Sequence, residues 1–243
     1  MSATTPAAQA IDDLVDANHI LFHQGIVDAF GHVSARHPER SNRFLLARNV
    51  APGLVVAADI LEYDVASGEP VAAGPPRQYL ERYIHSEIYQ ARPDVMAVVH
   101  NHSPAVLPFG LVKGARLRPV CHMCGFLGDG PAVFEIRDSA GDASDLLIRN
   151  RELGAALAGS LGDGRVILMR GHGCTIVAES LRVAVYRAVY TELNAKLLLQ
   201  ALPLGEVTYL TAAEADATRI TNEGGQAERP WNLWKRLAQR ADA

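Results

Sequence analysis

Three histidines stand where their side chains can converge on one ion. His100 and His102 close the run Asp94-Val95-Met96-Ala97-Val98-Val99-His100-Asn101-His102-Ser103. Val95 to Val99 is rich in β-branched residues and follows the turn Arg92-Pro93-Asp94, so it reads as a buried strand. Side chains two apart on a strand leave from one face, and both imidazoles can reach the same ligand. Spacing alone leaves open two unrelated histidines near a strand end. The third is His172, in Arg170-Gly171-His172-Gly173 directly after the apolar run Val166-Ile167-Leu168-Met169. Its glycines free the backbone to turn sharply and aim the ring off the strand. One such loop histidine is ordinary. Three at the ends of apolar strands suit a catalytic metal centre, which commonly keeps three protein ligands and one open position.

Glu81 can complete the set. It lies in Tyr79-Leu80-Glu81-Arg82-Tyr83-Ile84-His85-Ser86-Glu87-Ile88, after Pro75-Pro76 ends a loop. Leu80, Ile84 and Ile88 repeat at helical spacing and place Glu81 in the first helical turn. An acid there can be a dipole partner or a solvated charge. Beside a metal it can instead carry a proton or add a ligand.

The elements that must hold these residues follow from periodicity. Ile11, Leu14, Val15, Asn18, Leu21 and Phe22 trace an amphipathic first helix. Strands are expected near Phe30–His37, Phe44–Ala47 and Asp59–Asp64, and the helix near Tyr79–Arg92 leads into the histidine strand. Short strands and loops are expected across 115–136, and a helix from Asp145 to Leu161. Strands at Val166–Met169 and Thr175–Val177 precede a long helix over Ser180–Ala201, capped by Ser180. Thr211-Ala212-Ala213-Glu214 has the spacing of a capping box for another. Gly224-Gly225 marks the segment expected to flex, with Trp231 and Trp234 as apolar anchors beyond it.

Composition bounds the class. The 243 residues suit one domain with a sizeable core, and the net charge of −4 disfavours nucleic-acid and membrane-surface partners. No apolar run is long enough to span a bilayer, and Met1–Pro6 has no charged region ahead of an apolar stretch, so a cytoplasmic enzyme is expected. Three cysteines disfavour a disulfide framework and suit a reducing compartment. Cys121-His122-Met123-Cys124 has metal-like spacing but no partner pair, and it reads as structural.

Taken together, Glu81–His85, Ala91–Ser103, Gly31-His32-Val33-Ser34 and Arg170-Gly171-His172-Gly173 resemble the class II aldolase/adducin family, in the family's order, across roughly residues 8–215. The resemblance implies a class II aldolase-like α/β fold, a three-layer α/β/α sandwich with a mainly antiparallel central sheet. It implies a family domain over 1–222, with 223–243 as a tail packing on that domain or on a neighbouring subunit. It also implies a homotetramer with sites near subunit interfaces, a divalent metal on His100, His102 and His172, and a catalytic Glu81 with His85 in the matching helical place.

The departures are informative. Family members acting on sugar phosphates cradle the phosphate with Gly-Asn, Thr-Gly and Ser-Ser pairs. Here His32 stands at the Asn position, Leu46-Ala47-Arg48-Asn49-Val50-Ala51 at the Thr-Gly region, and Tyr79-Leu80 at the Ser-Ser position. The loop aspartate of the epimerases has no counterpart in Cys121–Gly125. A phosphorylated substrate is therefore not expected. Gly31–Arg36, His102–Phe109 and His122–Gly128 resemble the branch that decarboxylates hydroxylated aromatic dicarboxylates, such as 3-hydroxy-2-methylpyridine-4,5-dicarboxylate and 3,4-dihydroxyphthalate.

That branch implies a carboxy-lyase acting on a small-molecule carboxylate, with Mn2+ favoured and Zn2+ or another transition metal also compatible with the ligands. A ring hydroxyl and its ortho carboxylate would chelate the metal, and Glu81 would carry the proton. Arg77 and His32 are the candidates for the second carboxylate, with His122 as a further donor. Arg36, Arg48, Arg82 and Arg170 cannot be ranked from sequence. An aldolase or dehydratase acting on a non-phosphorylated hydroxy or keto acid is the alternative. A non-catalytic binding module, as in the adducin branch, is expected to lack the ligand histidines that this chain retains.

Overall fold

Seven strands form one sheet in the order β3-β2-β1-β4-β7-β6-β5. They are β1 (His32–Arg36), β2 (Arg43–Ala47), β3 (Ile60–Asp64), β4 (Ala97–Asn101), β5 (Ala132–Phe134), β6 (Val166–Met169) and β7 (Gly173–Ala178). The computed structural model describes residues 5–241; residues 1–4 of the segment read as lacking a leader lie outside them. Every pairing is antiparallel except that of β5 with β6. The mainly antiparallel sheet expected from the family pattern is therefore present.

Strand alternation sends side chains to two faces, and each face is covered by helices. Val33, Ala35, Ala97, Val99, Leu168 and Ile176 face α1 (Pro6–His23) and, later in the chain, α6 (Leu181–Ala201) and α8 (Glu228–Ala241). Phe44, Leu46, Val98, Ile167 and Val177 face the opposite layer, α2 (Arg82–Ala91) and α5 (Arg151–Leu161). The remaining helices are the short α3 (Leu107–Leu111) and α4 (Arg137–Ala140), and α7 (Ala212–Thr221). The result is a three-layer sandwich.

The caps explain several helix starts. Asn150 Oδ1 accepts from Leu153 N–H, Ser180 Oγ from Val183 N–H, and Thr211 forms a full capping box with Glu214. Asn222–Gln226 bends through Gly225 at φ +114° and turns the chain back. Trp231 and Trp234 are then buried among α1- and α6-side residues, and Lys235 pairs with Asp16 at 2.5 Å.

Two differences from the boundaries expected in the sequence concern the site. The helix expected from Tyr79 begins at Arg82, so Glu81 sits at the entrance with φ −92° and ψ 19° and does not cap it. The helix expected from Asp145 begins at Arg151; 145–149 is a loop with Leu146 at φ +69°. Apolar residues run unbroken from Leu146 to Ile148, but Asn150 as N-cap stops the helix there.

β6 and β7 form a tight hairpin with Met169 opposite Gly173, and His172 sits in its turn. The two glycines differ in purpose. Gly171 has φ +69°, a conformation costly for L side chains, whereas a Cβ on Gly173 would meet the Asn101 carbonyl oxygen at 2.0 Å. Gly173→Ala is expected to lower stability by roughly 2–3 kcal/mol through overpacking, and Gly171→Ala by about 1–2 kcal/mol. Urea unfolding would check the order; Gly171→Ala as the worse variant would contradict this account.

Candidate metal centre and substrate pocket

Register brings the candidate ligands together. His32 on β1 pairs with His100 on β4, and His100 pairs with Thr175 on β7. His100 leaves the sheet on the α2 side, the face shared by Val98, Val177 and Ser34. His102 follows just past the strand, and the β6–β7 turn carries His172 alongside.

One ligand atom each from Glu81, His100, His102 and His172 lies within 4.8 Å of all the others. His100 Nε2 is 3.1 Å from His102 Nε2 and 3.6 Å from Glu81 Oε2, and His172 Nε2 is 3.5 Å from the same oxygen. Three of the four members are held from behind. The His172 Nδ1–H donates to the Leu146 carbonyl at 2.9 Å, which leaves its Nε2 lone pair facing inward. His100 Nδ1 lies 3.2 Å from Thr175 Oγ1, whose own proton is directed at Met169 Sδ. Glu81 Oε1 accepts from Ile148 N–H at 3.0 Å, so Oε2 alone faces the histidines.

Burial, followed by repulsion from His172 and His32, holds His100 well below the ordinary imidazole range. His102 is lowered by burial and then by His172. Neutral imidazoles crowd their lone pairs toward a carboxylate, and a divalent cation would satisfy all four groups at once. The donor set therefore fits a transition-metal ion.

A cavity of about 240 Å³ opens onto this cluster, lined by Phe30, His32, Asn49, Arg77, Tyr79 and Leu80 along with Glu81, His102 and Leu147. A cavity near 150 Å³ can hold a benzene ring, so this one has room for a ring with substituents. His32, Asn49, Tyr79 and Leu80, all at positions where phosphate-cradling groups were expected and found replaced, face the cavity. His32 lies with its ring centroid 4.8 Å from that of Tyr79 and 5.0 Å from that of His100.

The arginines now separate. Arg36 donates to the carbonyls of Ser41, Tyr89, Arg92 and Val95; Arg48 pairs with Asp59, Arg82 with Glu69, and Arg170 with Glu135. Arg77 lines the cavity and makes no side-chain ion pair or hydrogen bond among the described residues.

His122 is not brought in. It is exposed at the start of a 3-10 turn, where its carbonyl accepts from Asn222 Nδ2 and its ring lies against Met123 Sδ. Within one chain it lines none of this cavity. Cys121 and Cys124 face each other in the same turn and pack on Asn194 and Tyr190 of α6.

Residues 12–199 match the family described as Class II Aldolase and Adducin N-terminal domain. The chain is 39% identical over 253 residues to decarboxylase tropJ of Talaromyces stipitatus, covering 95% of this chain and 94% of that protein. It is 34% identical over 212 residues to the 3,4-dihydroxyphthalate decarboxylase of Arthrobacter keyseri, covering 82% and 81%. Among solved structures, L-fuculose 1-phosphate aldolase from Glaciozyma antarctica aligns with a TM-score of 0.78 at 21% identity, covering 99% of this chain and 95% of that one, a likeness of fold.

His100→Ala is expected to abolish stoichiometric binding of a divalent metal. Thr175→Val, which removes the acceptor behind His100 Nδ1, should weaken binding roughly 10-fold. Competition with a chelating dye reads both; unchanged affinity in either variant would contradict the arrangement described.

Proposed function

The chain belongs to the class II aldolase and adducin family, and from that membership we propose that it is a divalent-metal-dependent decarboxylase of an ortho-hydroxy aromatic or heteroaromatic dicarboxylate. The observation that carries this reading is the cavity itself. It sets an unpaired arginine and a buried histidine beside a metal-competent cluster, and Tyr79-Leu80 lines it where a Ser-Ser pair would suit a phosphate.

In this reading His100, His102 and His172 hold the metal, with Glu81 Oε2 beside it. The bound ion, Mn2+ by preference and Zn2+ as the alternative, would supply a Lewis acid that stabilises oxyanion charge. Arg77 clamps the second carboxylate with its planar fork, and His32 donates to it from the cavity floor. Tyr79, Leu80, Phe30 and Leu147 flank the ring and limit water. Glu81, or a water it orients, delivers one proton to the ring carbon that bears the departing carboxylate. The bond from that carbon to the carboxylate then breaks, its electron pair restores the aromatic ring, and carbon dioxide leaves. The exchange of carbon dioxide for a proton needs no oxidant.

The reading extends to a homotetramer. Phe30 is 67% exposed and Leu80 48% exposed on the cavity rim, where a neighbouring subunit would cover them and could present His122. It keeps 1–222 as the catalytic unit and 223–243 as its packed tail. A cytoplasmic setting suits the three free cysteines; no helix among the described residues is long and apolar enough to cross a membrane. An aldolase or dehydratase acting on a non-phosphorylated acid is the second reading, supported by the same cluster and by the likeness in fold to a sugar-phosphate aldolase.

Glu81→Gln should retain metal and lose turnover of 3,4-dihydroxyphthalate by roughly 100-fold or more; near-normal turnover would remove its proton-carrying role. Arg77→Ala should raise KM for the dicarboxylate about tenfold and leave a monocarboxylate analogue nearly unaffected. An equal effect on both substrates would speak against a carboxylate clamp.

A further inference from the structure

Behind His32 runs a buried line of hydrogen bonds that the metal cluster does not use. His32 Nδ1 lies 2.6 Å from His85 Nε2, His85 Nδ1 lies 2.6 Å from Ser34 Oγ, and Ser34 Oγ lies 2.8 Å from the Tyr89 hydroxyl. All four residues are buried, and Ser34 and His85 are wholly so. The line ends inside the protein at Tyr89 and at the cavity in His32.

Its direction follows from counting protons. The Tyr89 hydroxyl meets the Val98 backbone, which lowers the phenol's pKa as a donating N–H does, and Ser34 Oγ. The serine is left as its acceptor, so the phenol donates to it rather than leave a buried donor unmet. The serine has one proton, and its remaining partner is His85 Nδ1, which must accept. A neutral His85 then carries its proton on Nε2 and donates to His32 Nδ1. A neutral His32 in turn carries its proton on Nε2, the nitrogen with no partner among the described residues, in a ring that lines the cavity.

The contrast with its neighbours is chemical. His172 has an acceptor behind it and turns a bare nitrogen inward; His32 has a donor behind it and turns an N–H inward. We propose that Tyr89, Ser34 and His85 are positioning residues that lock His32 in its Nε2–H tautomer, making it a hydrogen-bond donor for a substrate carboxylate oxygen. His32 is thereby neither a fourth imidazole ligand nor a proton acceptor, although its ring centroid lies 5.0 Å from that of His100. The carboxylate clause rests on the decarboxylase reading above, whereas the tautomer does not.

Long-range 1H–15N correlation of 15N-histidine-labelled protein, in metal-free and Zn2+-loaded form, tests the lock directly. His32 is assigned by loss of its signals in His32→Gln. The expected pattern is a protonated Nε2 and a bare Nδ1 for His32. A protonated Nδ1 in the native protein would overturn the proposal whatever the variants do. Ser34→Ala and Tyr89→Phe should give mixed His32 tautomers, and an unchanged tautomer in Ser34→Ala would also overturn it. For 3,4-dihydroxyphthalate, Ser34→Ala should raise KM about tenfold, the size of one hydrogen bond to a charged group, with kcat changed far less. A fall in kcat at constant KM would overturn the donor role. If the native enzyme releases no carbon dioxide, the decarboxylase reading fails while the tautomer result still decides the lock.

Discussion

Three imidazole nitrogens and a carboxylate oxygen crowd into one small, largely buried space, and the rest of the structure is arranged around that crowding. Left to themselves, electron-rich groups in a low-dielectric setting repel one another or take up protons. Here the protons are claimed elsewhere: Leu146 holds one behind His172, and Thr175 lies behind His100. Ile148 N–H occupies the outer oxygen of Glu81. The lone pairs are therefore turned inward, and a divalent cation is the species that would relieve their repulsion. Sheet register sets the distances. His32, His100 and Thr175 lie side by side on three strands, and Gly173 lets the β6–β7 turn sit against the Asn101 carbonyl so that His172 reaches the others.

Much of this was legible because strand spacing is a hard constraint. Residues 100 and 102 had to share a face, and glycines around residue 172 announced a sharp turn. The supporting shell was far less legible. The 145–149 loop supplies partners to both Glu81 and His172, yet its apolar run joins smoothly to the following helix, so pattern alone absorbed it into that helix. The available signal was Asn150, a strong N-cap residue three before Leu153. His85 was visible only as the residue four beyond Glu81. That spacing puts it one helical turn on, facing β1, where it meets both His32 and Ser34. Tertiary register, which no local pattern encodes, made that meeting.

The arginines show the same limit from another side. Sequence puts Arg77 forward for an anion clamp and has no means of ranking Arg36, Arg48, Arg82 and Arg170 beside it. Arg36, Arg48, Arg82 and Arg170 are engaged by carbonyls or acids, and Arg77, on a proline-ended loop, is left facing the cavity. His122 is the converse case. Its motif resembled that of the decarboxylating branch, but a single chain places it on the surface beside α7, away from the cavity. Such a residue joins a site only if another subunit supplies it.

The central claim is that the metal cluster serves carbon–carbon bond cleavage with loss of carbon dioxide. It is tested most directly by measuring carbon dioxide released from 3,4-dihydroxyphthalate and from 3-hydroxy-2-methylpyridine-4,5-dicarboxylate. The Mn2+-loaded protein would be compared with the same protein after chelation and after metal is restored. Release from at least one substrate, lost with the chelator and regained with the metal, is the result this account expects. Release that ignores the chelator, or none from either substrate with metal confirmed in place, would contradict it.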